Sequence, residues 1–195
     1  MDSSNSSASR MSRIHTCFLD RDGVLNRKMP EGNYVTRWGE FEVLPGVVKA
    51  IRRLNEAGIC VIVVSNQRGI AKGLYSVRDV EEIHARFQEL LTQHGAHIDR
   101  FYFCPHDKVG CDCRKPRPGM FHQAQRDFAN IDAATSAMIG DSLSDIQFAR
   151  AIGMLSIFIH GDKEHQKAGA EQAASLADLQ LSSLAEAVAA LLRSR

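Results

Sequence analysis

The feature that most constrains this chain is an alternation. Short runs of β-branched and aromatic residues recur between longer amphipathic stretches, and the runs do not themselves alternate apolar with polar. His15–Asp20 (HTCFLD) and Ile59–Ser65 (ICVIVVS) are the clearest, and Phe101–Cys104, Ala137–Asp141 and Leu155–His160 repeat the pattern. A strand that is apolar on both sides is covered on both sides, as in a parallel sheet packed between helices. Gly46–Ala57 then reads as a helix with Val47, Val48, Ile51 and Leu54 on one face and a stop at Gly58. Ser76–His94 opens with Ser76 and Asp79 at capping-box spacing and carries a stripe of Val80, Ile83, Phe87, Leu90 and Leu91. Pro118–Asn130, Ser142–Ile152 and Ser182–Leu192 complete the helices. The expected class is α/β with a mainly parallel central sheet.

Length and composition set the remaining bounds. At 195 residues, 44% hydrophobic and 24% charged, the sequence fits one globular domain, expected over residues 13–195. Residues 1–12 are Ser-rich, lack the apolar stretch of a secretory signal, and read as a disordered or tag-derived tail. No apolar run reaches the ~20 residues that span a bilayer, so the expected setting is the cytoplasm, with no membrane partner. With 24 Lys+Arg against 23 Asp+Glu, the net charge of +1 provides no general field for nucleic acid. Any anion must be held by a local site.

That site is expected where the strands end, because open α/β sheets bind ligands outside the carboxyl ends of their strands. Asp20 and Asp22 follow the first run, Ser65 and Asn66 end the second, Lys115 follows the third and Asp141 ends the fourth. Two carboxylates two residues apart, next to Gly23, repel unless a cation or proton is shared between them. Mg²⁺ is the natural partner, since it takes one or two carboxylates together with substrate oxygens. A hydroxyl (Ser65) and an ammonium (Lys115) suit the oxygens of a transferring phosphoryl group. One carboxylate can attack phosphorus while the other moves protons.

A second cluster, Cys104-Pro-His106-Asp-Lys-Val-Gly-Cys111-Asp-Cys113, has the spacing C-x-H-x4-C-x-C. Three thiolates and an imidazole on so short a loop predict a closed, structural zinc site. Its place beside Arg114 and Lys115 makes it a staple for the loop that presents them. Cys17 and Cys60, inside apolar runs, read as small buried hydrophobes. His15, His84, His94, His97, His122, His160 and His165 show no ligand spacing.

DRDGVLN, SNQRGIAKG, CRKPRPGM and GDSLSD occur in an order and spacing that resemble the four motifs of the haloacid dehalogenase superfamily of phosphatases. Within it the sequence is most similar to the D-glycero-D-manno-heptose-1,7-bisphosphate 7-phosphatases, with histidinol-phosphate phosphatases next and nucleic-acid 3′-phosphatases further off. The resemblance implies a Rossmann-like three-layer sandwich acting through an aspartyl-phosphate. It implies Asp20 as nucleophile and Asp22 as general acid/base. Mg²⁺ would be held by Asp20, Asp141 and the backbone carbonyl of Asp22. Ser65 and Lys115 would stabilise phosphoryl oxygens, while Arg21, Asn66, Gln67 and Arg114 would meet substrate. Asp145 would orient Lys115 or metal-bound water. Heptose members often carry Lys after the last motif's first Asp, where this chain has Ser142. The zinc ligand set marks the same branch, although the four residues between His106 and Cys111 make a loop nearer the histidinol-phosphate length.

Neither Gly23–Ile59 nor Arg68–Arg114 has room for a cap domain, so specificity falls to loops: Arg27–Trp38, Arg68–Tyr75 and the zinc loop. Arg27, Lys28, Arg37, Arg68 and Lys72 are candidates for a second, remote phosphate of a small sugar bisphosphate. Tyr34, Trp38 and Phe41 form either a core patch or a sugar-facing wall. A monomer is the expected state.

Overall fold

The computed structural model describes residues 9–161 and 168–194. Its centre is a six-stranded sheet: β1 (Thr16–Leu19), β2 (Cys60–Asn66), β3 (Arg100–Cys104), β4 (Ser136–Gly140), β5 (Leu155–Ile159) and β6 (Leu179–Leu181). All neighbours pair in parallel, in the order β3-β2-β1-β4-β5-β6. The chain therefore winds outward from β1 in one direction and returns to wind in the other. β1 and β4 flank the switch point at which such sheets open a crevice.

Each strand shares its side chains between two cores. Cys17, Leu19, Val61, Val63, Ile139 and Ile157 face helices α1 (Val47–Glu56), α3 (Val77–Gln93) and α7 (Leu184–Arg193). Phe18, Ile62, Val64, Tyr102 and Met138 face α4 (Gly119–Asp127) and α5 (Leu143–Ile152). The continuous apolar runs follow from this double coverage. A smaller group, Ile146, Phe158, Ala173 and Ala174, seats α6 (Ala170–Leu176) beside them. A single turn, α2 (Arg68–Ala71), follows β2. The capping box of Ser76 and Asp79 is present at the start of α3. The segments after β1 and β2 hold loops, a 3-10 turn (Trp38–Glu40), α1 to α3 and β3, which leaves the strand ends uncapped.

The structure adds detail to the expected elements and residues. β6 and α6 lie in a stretch where no element was expected. Cys17 is fully buried in β1, and Cys60 packs against the second core with its thiol pushed up to about 12 by burial and then by Asp99. Of the expected tail, residues 1–8 lie outside the described residues; Arg10 donates to the Gly153 carbonyl at 3.0 Å and pairs with Asp178 at 3.4 Å. His165 is likewise outside the described residues, and His84 is buried in a stack on Phe101, ring centroids 4.5 Å apart. Among the described residues, no helix is long and apolar enough to cross a membrane.

Candidate active site

Register brings the site together. Leu19 pairs with Val63 on one side and Ile139 on the other, so Asp20, Val64–Ser65 and Gly140–Asp141 leave the sheet at one level. The Asp20 amide still donates to Ile139 O at 3.0 Å, which ties the carboxylate to the sheet end. Two glycines permit the crowding that follows. Gly23, at φ +100°, brings its backbone so near β4 that a Cβ would lie 2.6 Å from Asp141 Cγ. A Cβ on Gly140 would lie 2.6 Å from Asp145 Oδ2.

Carboxylate oxygens of Asp20, Asp141 and Asp145 all lie within 4.8 Å of one another, and all three residues are buried. Three buried carboxylates at that spacing demand cations. Lys115 supplies one: its Nζ lies 2.9 Å from Asp20 Oδ1, 2.6 Å from Asp145 Oδ1 and 2.6 Å from the Val64 carbonyl. Burial alone would lower its pKa, but Asp145 and Asp20 outweigh burial and hold the ammonium above its ordinary range. Lys28 Nζ pairs with Asp141 Oδ2. Two monovalent cations against three carboxylates leave an oxygen-rich, net negative cluster, and this donor set fits Mg²⁺. Asp145 has both oxygens engaged, one with Lys115 and the other with the Ser142 amide and hydroxyl (3.0 and 2.6 Å). Ser142 thus caps α5 rather than reaching outward.

Asp22 is turned the other way. Its carboxylate takes a two-point contact from Arg21 (3.0–3.2 Å), a bond from Asn26 Nδ2 at 3.0 Å and one from Gln67 Nε2 at 3.2 Å. Burial pushes this carboxyl up; Arg21, Asn26 and Gln67 more than reverse it, so the group sits below the usual carboxylate range. The side chain is outside the carboxylate cluster. Ser65 is buried, and its Oγ accepts from Gln67 Nε2 at 2.7 Å.

Asn66 makes a reciprocal pair with the backbone of Lys115: Nδ2 to Lys115 O at 3.1 Å, and Lys115 N to Oδ1 at 3.0 Å. It therefore holds the lysine in place while also lining the adjoining cavity. That cavity, about 550 Å³, is lined by the cations Arg21, Lys28, Arg68, Lys72, Lys108 and Arg114, against the carboxylates of Asp22 and Glu31. Arg114 Nη1 is buried there without a hydrogen-bond partner. Arg27 and Arg37, expected at a remote phosphate, are instead paired with Glu42 and Glu40, both at 2.9 Å, and do not line the cavity. Lys108 was not among the candidates; only its place in the zinc loop points to it. Tyr34 forms cavity wall under Lys72, 5.4 Å from ammonium to ring. Phe41 belongs to the core, stacked on Trp38 and packed on Phe87.

Beside it lies the sulfur cluster. Cys104 Sγ, His106 Nδ1, Cys111 Sγ and Cys113 Sγ lie within 4.8 Å of one another. Cys104 is 3.6 Å from Cys111 and from His106 Nδ1, near the roughly 3.8 Å edge that Zn–S bonds of about 2.3 Å give a tetrahedron. Cys104 and Cys113 are closer, at 2.8 Å. Burial, then the neighbouring Cys104 and Cys111, push the Cys113 thiol well above its usual range, so the three sulfurs ionise together only around a cation. The donor set fits zinc.

A HAD-hydrolase-like family profile matches residues 112–187. The D-glycero-alpha-D-manno-heptose-1,7-bisphosphate 7-phosphatase of Mycobacterium bovis is 43% identical over 136 residues, covering 69% of this chain and 71% of that protein. The D-glycero-beta-D-manno-heptose-1,7-bisphosphate 7-phosphatase of Pseudomonas aeruginosa is 38% identical over 146 residues, covering 74% and 80%. The crystal structure of D,D-heptose 1,7-bisphosphate phosphatase from B. bronchiseptica, complexed with magnesium and phosphate, superposes with a TM-score of 0.81 at 30% identity, covering 93% of this chain and all of that one. With identity of that order over most of both chains, and with the carboxylates, lysine and cysteines assembled at one sheet edge, this chain belongs to the heptose-1,7-bisphosphate 7-phosphatase family of HAD-like hydrolases.

Proposed function

We propose that this chain removes the 7-phosphate of D-glycero-D-manno-heptose 1,7-bisphosphate, leaving heptose 1-phosphate, through a phosphorylated Asp20. The observation that carries the reading is the contact of Lys115 Nζ with Asp20 Oδ1 at 2.9 Å, inside a ring of carboxylates and beside a cation-lined cavity. Lys115 keeps Asp20 ionised and oriented, as a nucleophile requires. A carboxylate oxygen of Asp20 attacks phosphorus, the bond to the sugar oxygen breaks, and that oxygen takes its proton through Asp22, which is ionised at rest and passes on the proton of the monoanionic ester. Water then attacks the aspartyl-phosphate, giving its proton to Asp22 and releasing Asp20 and phosphate. The depressed pKa of Asp22 suits the second half, where it must accept a proton. Ser65 and Lys115 meet the phosphoryl oxygens as charge develops. Asp20, Asp141 and the backbone carbonyl of Asp22 would hold magnesium, which would supply charge neutralisation at the phosphoryl group. The zinc ligands hold the loop that carries Arg114 and Lys115.

Six cations against two carboxylates favour a substrate with a second anionic group. Histidinol phosphate carries an ammonium instead, which that cavity would repel, despite the short zinc loop. The small sugar phosphate is the only partner this reading requires; it has the chain act alone and in the cytoplasm.

The test is phosphate release at pH 7 with Mg²⁺ from both heptose bisphosphate anomers, histidinol phosphate and a 3′-phosphorylated oligonucleotide. An advantage of about a hundredfold in kcat/KM for one anomer, ~2.7 kcal/mol of discrimination, is expected. Preference for histidinol phosphate or the oligonucleotide would overturn the substrate.

A further inference from the structure

Gln67 is buried, and its amide touches three groups at once. Nε2 donates to Ser65 Oγ at 2.7 Å and to Asp22 Oδ2 at 3.2 Å, while Oε1 accepts from the Tyr75 hydroxyl at 2.7 Å. The two ends of an amide are alike in shape and opposite in hydrogen bonding. The Asp22 carboxylate is already surrounded by donors from Arg21 and Asn26, so the Gln67 nitrogen faces it as a third donor and the oxygen faces the Tyr75 hydroxyl. Ser65, already accepting from Gln67, then keeps its own hydrogen for another acceptor. Turned over, the amide would set its oxygen against a carboxylate and draw in the serine hydrogen.

We propose that Tyr75 is a positioning residue for phosphoryl transfer: its hydroxyl locks the Gln67 amide in the orientation that aims the Ser65 O–H at a phosphoryl oxygen and supports Asp22. The lock is built rather than incidental. The Tyr75 ring lies so close over Gly69 that a Cβ there would sit 2.7 Å from its Cζ, and Tyr34 packs on it with ring centroids 5.9 Å apart. Burial pushes the phenol up to about 12, so it keeps its proton throughout the working range. Tyr75 belongs to neither the carboxylate nor the cysteine cluster, and its hydroxyl donates to Gln67.

The inference rests on the roles given to Ser65 and Asp22 above. Its test is kinetic: Tyr75→Phe, Gln67→Met and the double variant, assayed at 25 °C with the heptose bisphosphate and with p-nitrophenyl phosphate. Tyr75→Phe keeps the ring on Gly69 and removes only the donor. Its kcat is expected to fall about tenfold on both esters with KM within about twofold, and the double variant should be no slower than Gln67→Met alone. An unchanged kcat, or losses that multiply in the double variant, would overturn the role, because Tyr75 would then act by packing. Wild-type turnover of p-nitrophenyl phosphate without the heptose ester would overturn the substrate and leave the Tyr75 comparison intact. Turnover of neither ester would overturn the phosphatase roles and this one with them.

Discussion

Lys115 shows how much a single residue carries. It reaches two buried carboxylates from a loop that is itself held by Asn66, so one side chain joins the ends of β1, β2 and α5. Removing one member of such a group leaves the others charged and uncompensated. Lys115→Met, which keeps the length of the side chain, is therefore expected to destabilise the fold by about 3–5 kcal/mol. It should also lower kcat by at least about a hundredfold; urea titration and steady-state kinetics read the two effects separately. Lys115 and Asp20 were visible in the sequence as residue types at strand ends, and Asp145 only through the resemblance of the last motif. The bond between Lys115 and Asp145 was legible only as a choice, because metal-bound water was the other partner in view. Tyr75 was not visible at all, since its role depends on which way a buried amide faces.

Elements tell a similar story at longer range. The five longer strands were readable because their apolar runs serve two cores. β6 was not, because three residues, Leu-Gln-Leu, are too few to show a period. α3 carries the other titratable group under the site, His84, stacked on Phe101 with Nε2 buried and unpaired. Burial first, and Arg21 next, lower its pKa to about 3, against an opposing pull from Asp22. An unfolded chain therefore binds a proton near pH 6.5 that the folded chain refuses until about pH 3. Stability is complete above pH 6.5 and is lost as pH falls through that window, at up to ~1.4 kcal/mol per pH unit from this group. His84→Phe should flatten the pH dependence of the urea midpoint between pH 6.5 and 4, and an unchanged slope would remove His84 as the cause. The zinc loop is an element of another kind, with no hydrogen-bonded core of its own. Stripping the metal with a chelator is expected to lower Tm by about 5 °C or more and to cost activity through Lys115, with restoration by added Zn²⁺.

For the molecule as a whole, the arrangement of charge matters more than its sum. A net charge of +1 hides a cavity lined by six cations, set next to a cluster of three carboxylates. The cluster suits a metal and the reacting phosphate; the cavity suits an anion further along the same substrate. The sequence named too many candidates for that second anion, because Arg27 and Arg37 look no different from Arg68 and Lys72 until Glu42 and Glu40 claim them locally. Arg68 has an acid too, Asp107 of the zinc loop at 2.5 Å, yet it still lines the cavity. Lys72 stands over Tyr34 on the facing loop. The distinction can be measured. Arg68→Ala and Lys72→Ala are each expected to raise KM for the heptose bisphosphate by about 5- to 30-fold, ~1–2 kcal/mol of binding, with kcat largely retained, since their contacts are with Asp107 and Tyr34 rather than with the carboxylate cluster. Arg27→Ala should leave KM within about twofold, being a surface pair. With p-nitrophenyl phosphate, which has no second phosphate, all three variants should match wild type. If Arg68→Ala and Lys72→Ala raise KM equally for both esters, the cavity cations act on the reacting phosphate, and the remote anion must be held by something other than this wall.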